Sequence, residues 1–211
     1  MTFNQLKQKA SDYPVFCLED IFKWFPDARR QNVLNQLSFW TERRYLQRIK
    51  KGVYKLADYR LEDHLILVNF VYFPAYVSLE TALNYHGLIP DVSFAVTAVT
   101  VNKTKEFHIE GGGIFTYHHL KPELFFGFDT VKAEKKYTYN MALPEKALFD
   151  YLYLKGRGVG EPDGFIEELR LSLAADFGWQ KFRQWAALVP ARNKNFHRLV
   201  NSLIKKHNSV K

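Results

Sequence analysis

ARRQNVLNQLSFWTERRYLQRIKKGVYKL, residues 28–56, is the stretch that decides the fold. Its first half places apolar side chains three and four residues apart, which is the spacing of one face of an amphipathic helix. The side chains on this face are Val33, Leu34, Leu37, Trp40 and Thr41. The second half has apolar residues on both sides of Lys51-Gly52, as in a hairpin whose turn glycine has a positive φ. We therefore predict a helix from Ala28 to Arg43, N-capped by Asp27, and then a hairpin.

Two shorter helices are predicted upstream of this stretch. The first lies within residues 3–12 and ends ahead of Pro14, because the residue before a proline avoids the helical region. The second covers residues 18–25 and ends at Pro26. Three short helices followed by a hairpin is the element order of a winged helix-turn-helix, which we predict for residues 1–58.

The rest of the chain, residues 59–211, is predicted to be a mixed α+β domain with a small central sheet and C-terminal helices. The fold class is therefore α+β, with an N-terminal winged helix-turn-helix. Strands are expected at residues 94–100, 113–119, 125–128 and 137–141. Helices are expected at residues 62–72, 79–86 and 145–154, with two or three more between 163 and 206.

Charge is distributed unevenly along the chain, whose formal net charge is +8. Residues 1–60 carry +6, residues 61–180 carry −6, and residues 181–211 carry +8. Two basic regions around an acidic centre are typical of a protein that meets a polyanion. An unevenly charged surface without such a partner is the plainer alternative. The basic C-terminal residues could add phosphate contacts, but a solubilising role is the favoured interpretation; they are Arg192, Lys194, Arg198, Lys205 and Lys206.

Several classes of protein are disfavoured by composition. Cys17 is the single cysteine, so an intramolecular disulfide is impossible and a cysteine-rich zinc site is not expected. The longest apolar run, residues 65–79, is interrupted by polar residues and a proline, so we expect no membrane span. The polar N-terminus lacks a secretory apolar segment, and a cytoplasmic location is expected.

The third helix and the hairpin supply the candidate binding residues. In a winged helix-turn-helix the third helix enters the major groove of double-stranded DNA, where Arg suits guanine and Asn or Gln suits adenine. Basic side chains on the hairpin would lie beside a phosphate or in the minor groove. The predicted DNA-binding residues are Arg29, Arg30, Gln31, Asn32, Gln36, Arg43, Arg44, Arg48, Lys50 and Lys51. Arg30 lies nearer the apolar stripe, so a phosphate is an alternative contact for it. A merely solvated helix face is the competing explanation of these polar residues.

Catalysis finds little support in the sequence, and we predict no catalytic residue, metal site or cofactor. His118 and His119 are adjacent on a predicted strand and would point to opposite faces. The three glycines at residues 111–113 lack the Lys-Ser/Thr of a phosphate-binding loop and are interpreted as a turn. Lys146 and Asp150 are expected to form an exposed pair on one side of a helix.

Four segments together resemble a known family. They are LQRIKKGVYKL (46–56), YVSLETALNYHGLIP (76–90), TYHHL (116–120) and MALPEKALFDYLYL (141–154). They are similar, in the same order, to motifs of the AbiEi family, the antitoxins of type IV toxin–antitoxin (abortive infection) systems. The resemblance implies a protein that represses its own operon by binding operator DNA and counters a nucleotidyltransferase-like toxin, without a need for direct contact with that toxin.

The resemblance is incomplete at two places. Many family members have a glycine before the first wing strand, whereas this chain has TERRY at residues 41–45, so a non-glycine residue must make that turn. From Gly156 onward no family motif is matched. Two alternatives stay open: a winged-helix transcriptional regulator with a ligand-sensing C-terminal domain, and a nucleic-acid-modifying enzyme with converging carboxylates in the acidic middle.

Overall fold

The computed structural model describes residues 1–133 and 137–209, which form helices and two separate β-sheets. The helices are Phe3–Ala10 (α1), Leu18–Trp24 (α2), Arg30–Glu42 (α3), Leu67–Val71 (α4), Leu79–Tyr85 (α5), Pro144–Lys155 (α6), Pro162–Glu168 (α7), Trp179–Ala187 (α8) and Lys194–Ser209 (α9). The strands are Phe16–Cys17 (β1), Leu46–Lys50 (β2), Val53–Leu56 (β3), Ala75–Val77 (β4), Ala95–Thr100 (β5), Lys105–Ile109 (β6), Gly113–His119 (β7), Phe128–Lys132 (β8) and Thr138–Ala142 (β9). The predicted α+β class is confirmed.

The N-terminal elements are three helices and a three-stranded sheet, and the three helices precede the hairpin as predicted. Strands β1, β3 and β2 form an antiparallel sheet in that order, and helices α1 to α3 pack on it around a shared core. Gly52 makes the β2–β3 turn with a φ of 82°, as predicted. The short strand β1 was not predicted, because two residues are too few for a periodic pattern to show.

Helix α3 forms because its apolar stripe meets that core. Val33, Leu37 and Trp40 are buried, and the Phe3 ring packs edge-on against Trp40 with centroids 5.5 Å apart. The predicted start was wrong by two residues, because the backbone N–H of Ala28 turns back to the Phe25 carbonyl. Arg29, rather than the predicted Asp27, is the N-cap residue, and its side chain makes no capping hydrogen bond.

The end of α3 is closed by a non-glycine residue, as the sequence requires. Arg44 adopts a φ of 58°. Its N–H donates to the Thr41 carbonyl at 3.0 Å, and the Tyr45 N–H donates to the Trp40 carbonyl at 2.8 Å. This pair of bonds is a Schellman motif, in which the left-handed position normally holds glycine.

Replacing Arg44 with glycine is expected to stabilise the protein. The left-handed backbone costs a residue with a Cβ roughly 1 kcal/mol or more, whereas glycine adopts it without steric cost. After the larger chain entropy of glycine is subtracted, we expect a net gain of about 0.5–1 kcal/mol in the free energy of unfolding. Urea denaturation measures it. Arg43→Gly is the matched control: Arg43 has a φ of −80°, so glycine there should destabilise.

The second sheet has six strands in the order β6-β7-β5-β4-β9-β8. Strands β5 and β7 pair in parallel, as do β4 and β9, and the other neighbours are antiparallel. The predicted strand at 113–119 is confirmed to the residue, and the strand predicted at 94–100 begins one residue later. With six strands, this sheet is larger than the small central sheet that was predicted.

One predicted strand, at residues 125–128, was placed wrongly. The chain there leaves a 3₁₀ turn and stays irregular until β8 begins at Phe128. Gly127 has a φ of 74°, and the N–H groups of Phe125 and Phe126 bond to carbonyls only two or three residues back. A short apolar run is equally compatible with a buried loop, because it lacks a period that distinguishes the two.

Helix α6 runs through the centre of the larger core. Most of its side chains are buried, and it contacts α5, α8 and α9. Lys146 and Asp150, predicted to be exposed, are both 0% exposed and form an ion pair inside the protein. The prediction was wrong because helices cover this one on several sides, and spacing along one helix does not reveal that cover.

Two polar hydroxyl groups complete this buried pair. Tyr76 and Ser78 each donate a hydrogen bond of 2.8 Å to one carboxylate oxygen of Asp150. Burial raises the pKa of Asp150, while Lys146 and the two hydroxyls oppose that shift. Burial also lowers the pKa of Lys146. The network ties β4 and the start of α5 to α6.

The two hydrophobic cores meet at the wing, which is the hairpin of strands β2 and β3. Val15, Ile49 and Val53 belong to the hydrophobic core of the larger sheet, although they lie in the N-terminal sheet region. Leu46, Tyr54 and Leu56 from the same hairpin belong to the N-terminal core. Strands β2 and β3 therefore pack on both faces. Within the residues that the structure describes, no helix combines the length and apolar character needed to cross a membrane.

Candidate nucleic-acid interface

The outer face of α3 is a polar surface open to solvent. Arg29, Gln31 and Asn32 of the predicted DNA-binding set are exposed, and so is Asn35. The Gln31 side-chain amide donates to the Asn35 side-chain oxygen at 2.9 Å, one turn further on. The amide groups that suit base edges therefore line one side of a 13-residue helix.

The N-terminal end of α3 concentrates positive charge. Its first turn contains no acidic residue, and Arg29 and Arg30 stand at its start. The helix dipole already places partial positive charge there, so two arginines are electrostatically unfavourable in the isolated protein. An anion at this end, such as a DNA phosphate, relieves that repulsion and also meets unpaired backbone N–H groups.

Arg48 on β2 lies beside α3. Its side chain is exposed and lines an open groove of about 440 Å³ together with Leu34, Ser38 and Thr41 of the helix. Glu42 and Tyr54 complete the lining. The structure therefore places this wing cation beside the later part of α3, next to Ser38 and Glu42.

The two lysines of the wing turn point in different directions. Lys51 is exposed. Lys50 is half-buried, and its ammonium donates to the Val71 carbonyl at 2.9 Å. A register shift in the β2–β3 pairing between Arg48 and Lys50 accompanies this orientation. Burial, followed by repulsion from Lys105, lowers the pKa of Lys50. The structure thus separates Lys50 from the predicted set.

Three other predicted residues are engaged within the N-terminal unit. The Gln36 side-chain amide donates to the Met1 carbonyl at 2.7 Å and is half-buried. The Arg30 guanidinium lies 5.7 Å from the Phe22 ring centroid, consistent with its place near the apolar stripe. Arg43 lies 5.1 Å from the ring of Phe39, which projects outward at 50% exposure. Arg30 and Arg43 remain exposed, as does Arg44.

The basic C-terminal helix faces acidic neighbours. Lys205 and Lys206 of α9 line a cleft together with Asp163 and Glu167 of α7. Arg198 donates to the Gly160 carbonyl at 3.1 Å. Lys194, Arg198, Lys205 and Lys206 are all exposed, and the solubilising role of this region stays a prediction.

The C-terminal part offers little converging chemistry. The two carboxylates of α6 are engaged separately, since Glu145 accepts the Gly178 N–H at 2.9 Å and Asp150 belongs to the buried network. Among residues 1–133 and 137–209, no three His, Cys, Asp or Glu side chains lie together as metal ligands. An open cleft of about 300 Å³, lined in part by Leu203 and His207, is at the small end of ligand sites. The ligand-sensing alternative stays a prediction.

Comparison with known proteins leaves the family open. Neither family models nor curated proteins gave a match to this chain. The likeness to AbiEi antitoxins therefore depends on the four sequence segments alone. In the structure, two of those segments contain α5 and α6, which pack together and share the Asp150 network. What these two segments have in common with the family is therefore mainly core-forming sequence.

Proposed function

We propose that this chain binds double-stranded DNA with helix α3 and the wing. The observation that carries the proposal is that α3 exposes Gln31 and Asn32 while the exposed Arg48 of the wing lines a groove with the later part of the same helix. Gln31 and Asn32 would contact base edges in the major groove. Arg29, Arg48 and Lys51 would contact phosphates on either side.

The salt dependence of duplex binding tests this proposal. Six predicted residues are exposed cations, namely Arg29, Arg30, Arg43, Arg44, Arg48 and Lys51. Each phosphate contact contributes roughly −0.9 to the slope of log K against log salt, so the three contacts proposed above give about −2.7 and contacts by all six cations give about −5.4. Fluorescence anisotropy with a labelled 30-base-pair duplex measures it. A slope near zero, or no binding at 50 mM salt, contradicts the proposal.

We further propose that the protein is an antitoxin of a type IV toxin–antitoxin system. It would repress its own operon by binding the operator and would counter a nucleotidyltransferase-like toxin. The support is the order and content of the four AbiEi-like segments, together with the DNA-binding surface proposed above. We propose that it acts by binding and not by catalysis.

Co-expression tests the antitoxin proposal separately from DNA binding. The protein is expressed together with the product of each adjacent gene whose expression alone stops growth. Rescue of growth by wild-type protein, and also by the Arg48→Gln/Lys51→Gln variant, would show an antitoxic function that does not require the wing cations. Absence of rescue from every neighbouring gene product contradicts the antitoxin proposal and leaves DNA binding unaffected.

A further inference from the structure

The wing does not stand free of the larger sheet. Strand β2 is an edge strand of the N-terminal sheet, β6 is an edge strand of the six-stranded sheet, and the two strands contact each other. Both edges are thereby partly covered, which limits the unpaired backbone available for unwanted strand pairing. The same contact sets the residues of β6 beside the basic turn.

A chain of contacts fixes where Lys105 of β6 lies. Lys50 of the wing donates to the Val71 carbonyl at 2.9 Å. The ring of the next residue, Tyr72, packs against Phe107 with centroids 5.5 Å apart. The Lys105 ammonium lies 4.8 Å from the Phe107 ring centroid. Lys105 is therefore held at the wing by aromatic contacts, while its side chain stays exposed.

The face of β6 that carries Lys105 has no acidic residue, although Glu110, just after β6, lines a cleft with Arg44 and Arg48. Neighbouring residues of a strand point to opposite faces, so Glu106 is directed away from Lys105. The Glu106 carboxylate is moreover hydrogen-bonded to His108 at 2.8 Å. Lys50 and Lys105 are close enough to repel each other, and the structure holds them together without a neutralising carboxylate among their described contacts. A polyanion beside the exposed Lys105 would relieve that repulsion, while Lys50 keeps its hydrogen bond to the Val71 carbonyl.

We propose that Lys105, brought to the wing by the packing of β6 against β2, contacts a phosphate of the same DNA duplex that α3 and the wing bind. The larger sheet then takes part in DNA binding and extends the footprint beyond the N-terminal unit. This inference rests on the proposed DNA-binding function. The proposed contact of Lys105 is with the phosphate backbone of duplex DNA, because a single lysine on a sheet edge recognises charge and does not distinguish bases.

Removal of this charge gives a measurable signature. With a mixed-sequence 30-base-pair duplex, Lys105→Gln is expected to weaken binding roughly threefold to tenfold and to make the salt slope shallower by about 0.9. Lys105→Arg keeps the charge and is expected to restore both values. Lys132→Gln is the matched control, because Lys132 is an exposed lysine on β8, the opposite edge strand of the same sheet.

The possible outcomes separate this inference from the function on which it rests. Weaker binding by Lys105→Gln with rescue by Lys105→Arg, and no change in Lys132→Gln, supports it. If wild-type protein binds and the Arg48→Gln/Lys51→Gln variant is weakened, but Lys105→Gln matches wild type, the inference fails and the proposed function stands. If the Lys132 control loses as much as Lys105→Gln, general charge explains the loss and the inference fails. Absence of wild-type binding overturns both.

Discussion

Asp150→Ala is expected to lower the free energy of unfolding by about 3–5 kcal/mol, because it leaves the Lys146 ammonium buried without its counter-charge. Both side chains are fully buried, so water cannot replace the lost partner. The Tyr76 and Ser78 hydroxyls would lose their acceptor in the same change, which adds to the cost. Urea denaturation monitored by circular dichroism measures the difference.

An exposed ion pair provides the control for this experiment. Asp91 pairs with Arg170, and both side chains are more than half exposed. Asp91→Ala is expected to cost less than about 1 kcal/mol, since solvent screens such pairs. Equal effects of the two substitutions would mean that the Lys146–Asp150 pair is not held away from water. The double change Lys146→Met/Asp150→Leu is expected to recover part of the loss, because no unpaired charge remains.

Arg48→Gln/Lys51→Gln is expected to weaken duplex binding roughly tenfold to a hundredfold, on every sequence tested. Two phosphate contacts would be lost, so the salt slope should become shallower by about 1.8. Both side chains are exposed, and stability should change little. Anisotropy titrations between 50 and 200 mM salt give both values.

Arg192→Gln/Lys194→Gln is the matched control for that double variant. It removes the same charge from exposed positions at the start of the basic C-terminal region. We expect wild-type affinity. A similar loss in the control would attribute the effect to net charge instead of the wing. Lys50→Gln is expected to have a smaller effect than Lys51→Gln, because the Lys50 ammonium is already bonded to the Val71 carbonyl.

The local pattern of the N-terminal sequence was sufficient to predict its three helices and its hairpin, but not the two-residue strand β1. The periodicity of Val33, Leu37 and Trp40 predicted α3 and its buried face, and Lys51-Gly52 predicted the hairpin. Helix spacing and turn chemistry are short-range properties, so they can be worked out from neighbouring residues alone. The exact start of α3 could not be predicted in this way, since it depends on a backbone turn at Ala28 that competes with capping by Asp27.

Long-range packing explains what the sequence did not reveal. Strand β6 was not predicted, and its contact with the wing joins residues more than fifty positions apart. The inward turn of Lys50 also depends on long-range packing, because its ammonium donates to the carbonyl of Val71 at the end of α4. Lys146 and Asp150 have the spacing of an ordinary surface pair, and only the helices packed around α6 make them buried. A pattern along one element gives no information about what lies above it.

Ile49 and Val53, buried against the larger sheet, have a consequence for modularity. A fragment of residues 1–58 would expose them, together with Val15, to water. Such a fragment would tend to self-associate through the apolar surface that these three side chains form. Charge and architecture change near residue 58, but the chain cannot be cut there without exposing apolar side chains. Residues 1–58, fused to another protein, would need other apolar residues to bury the wing.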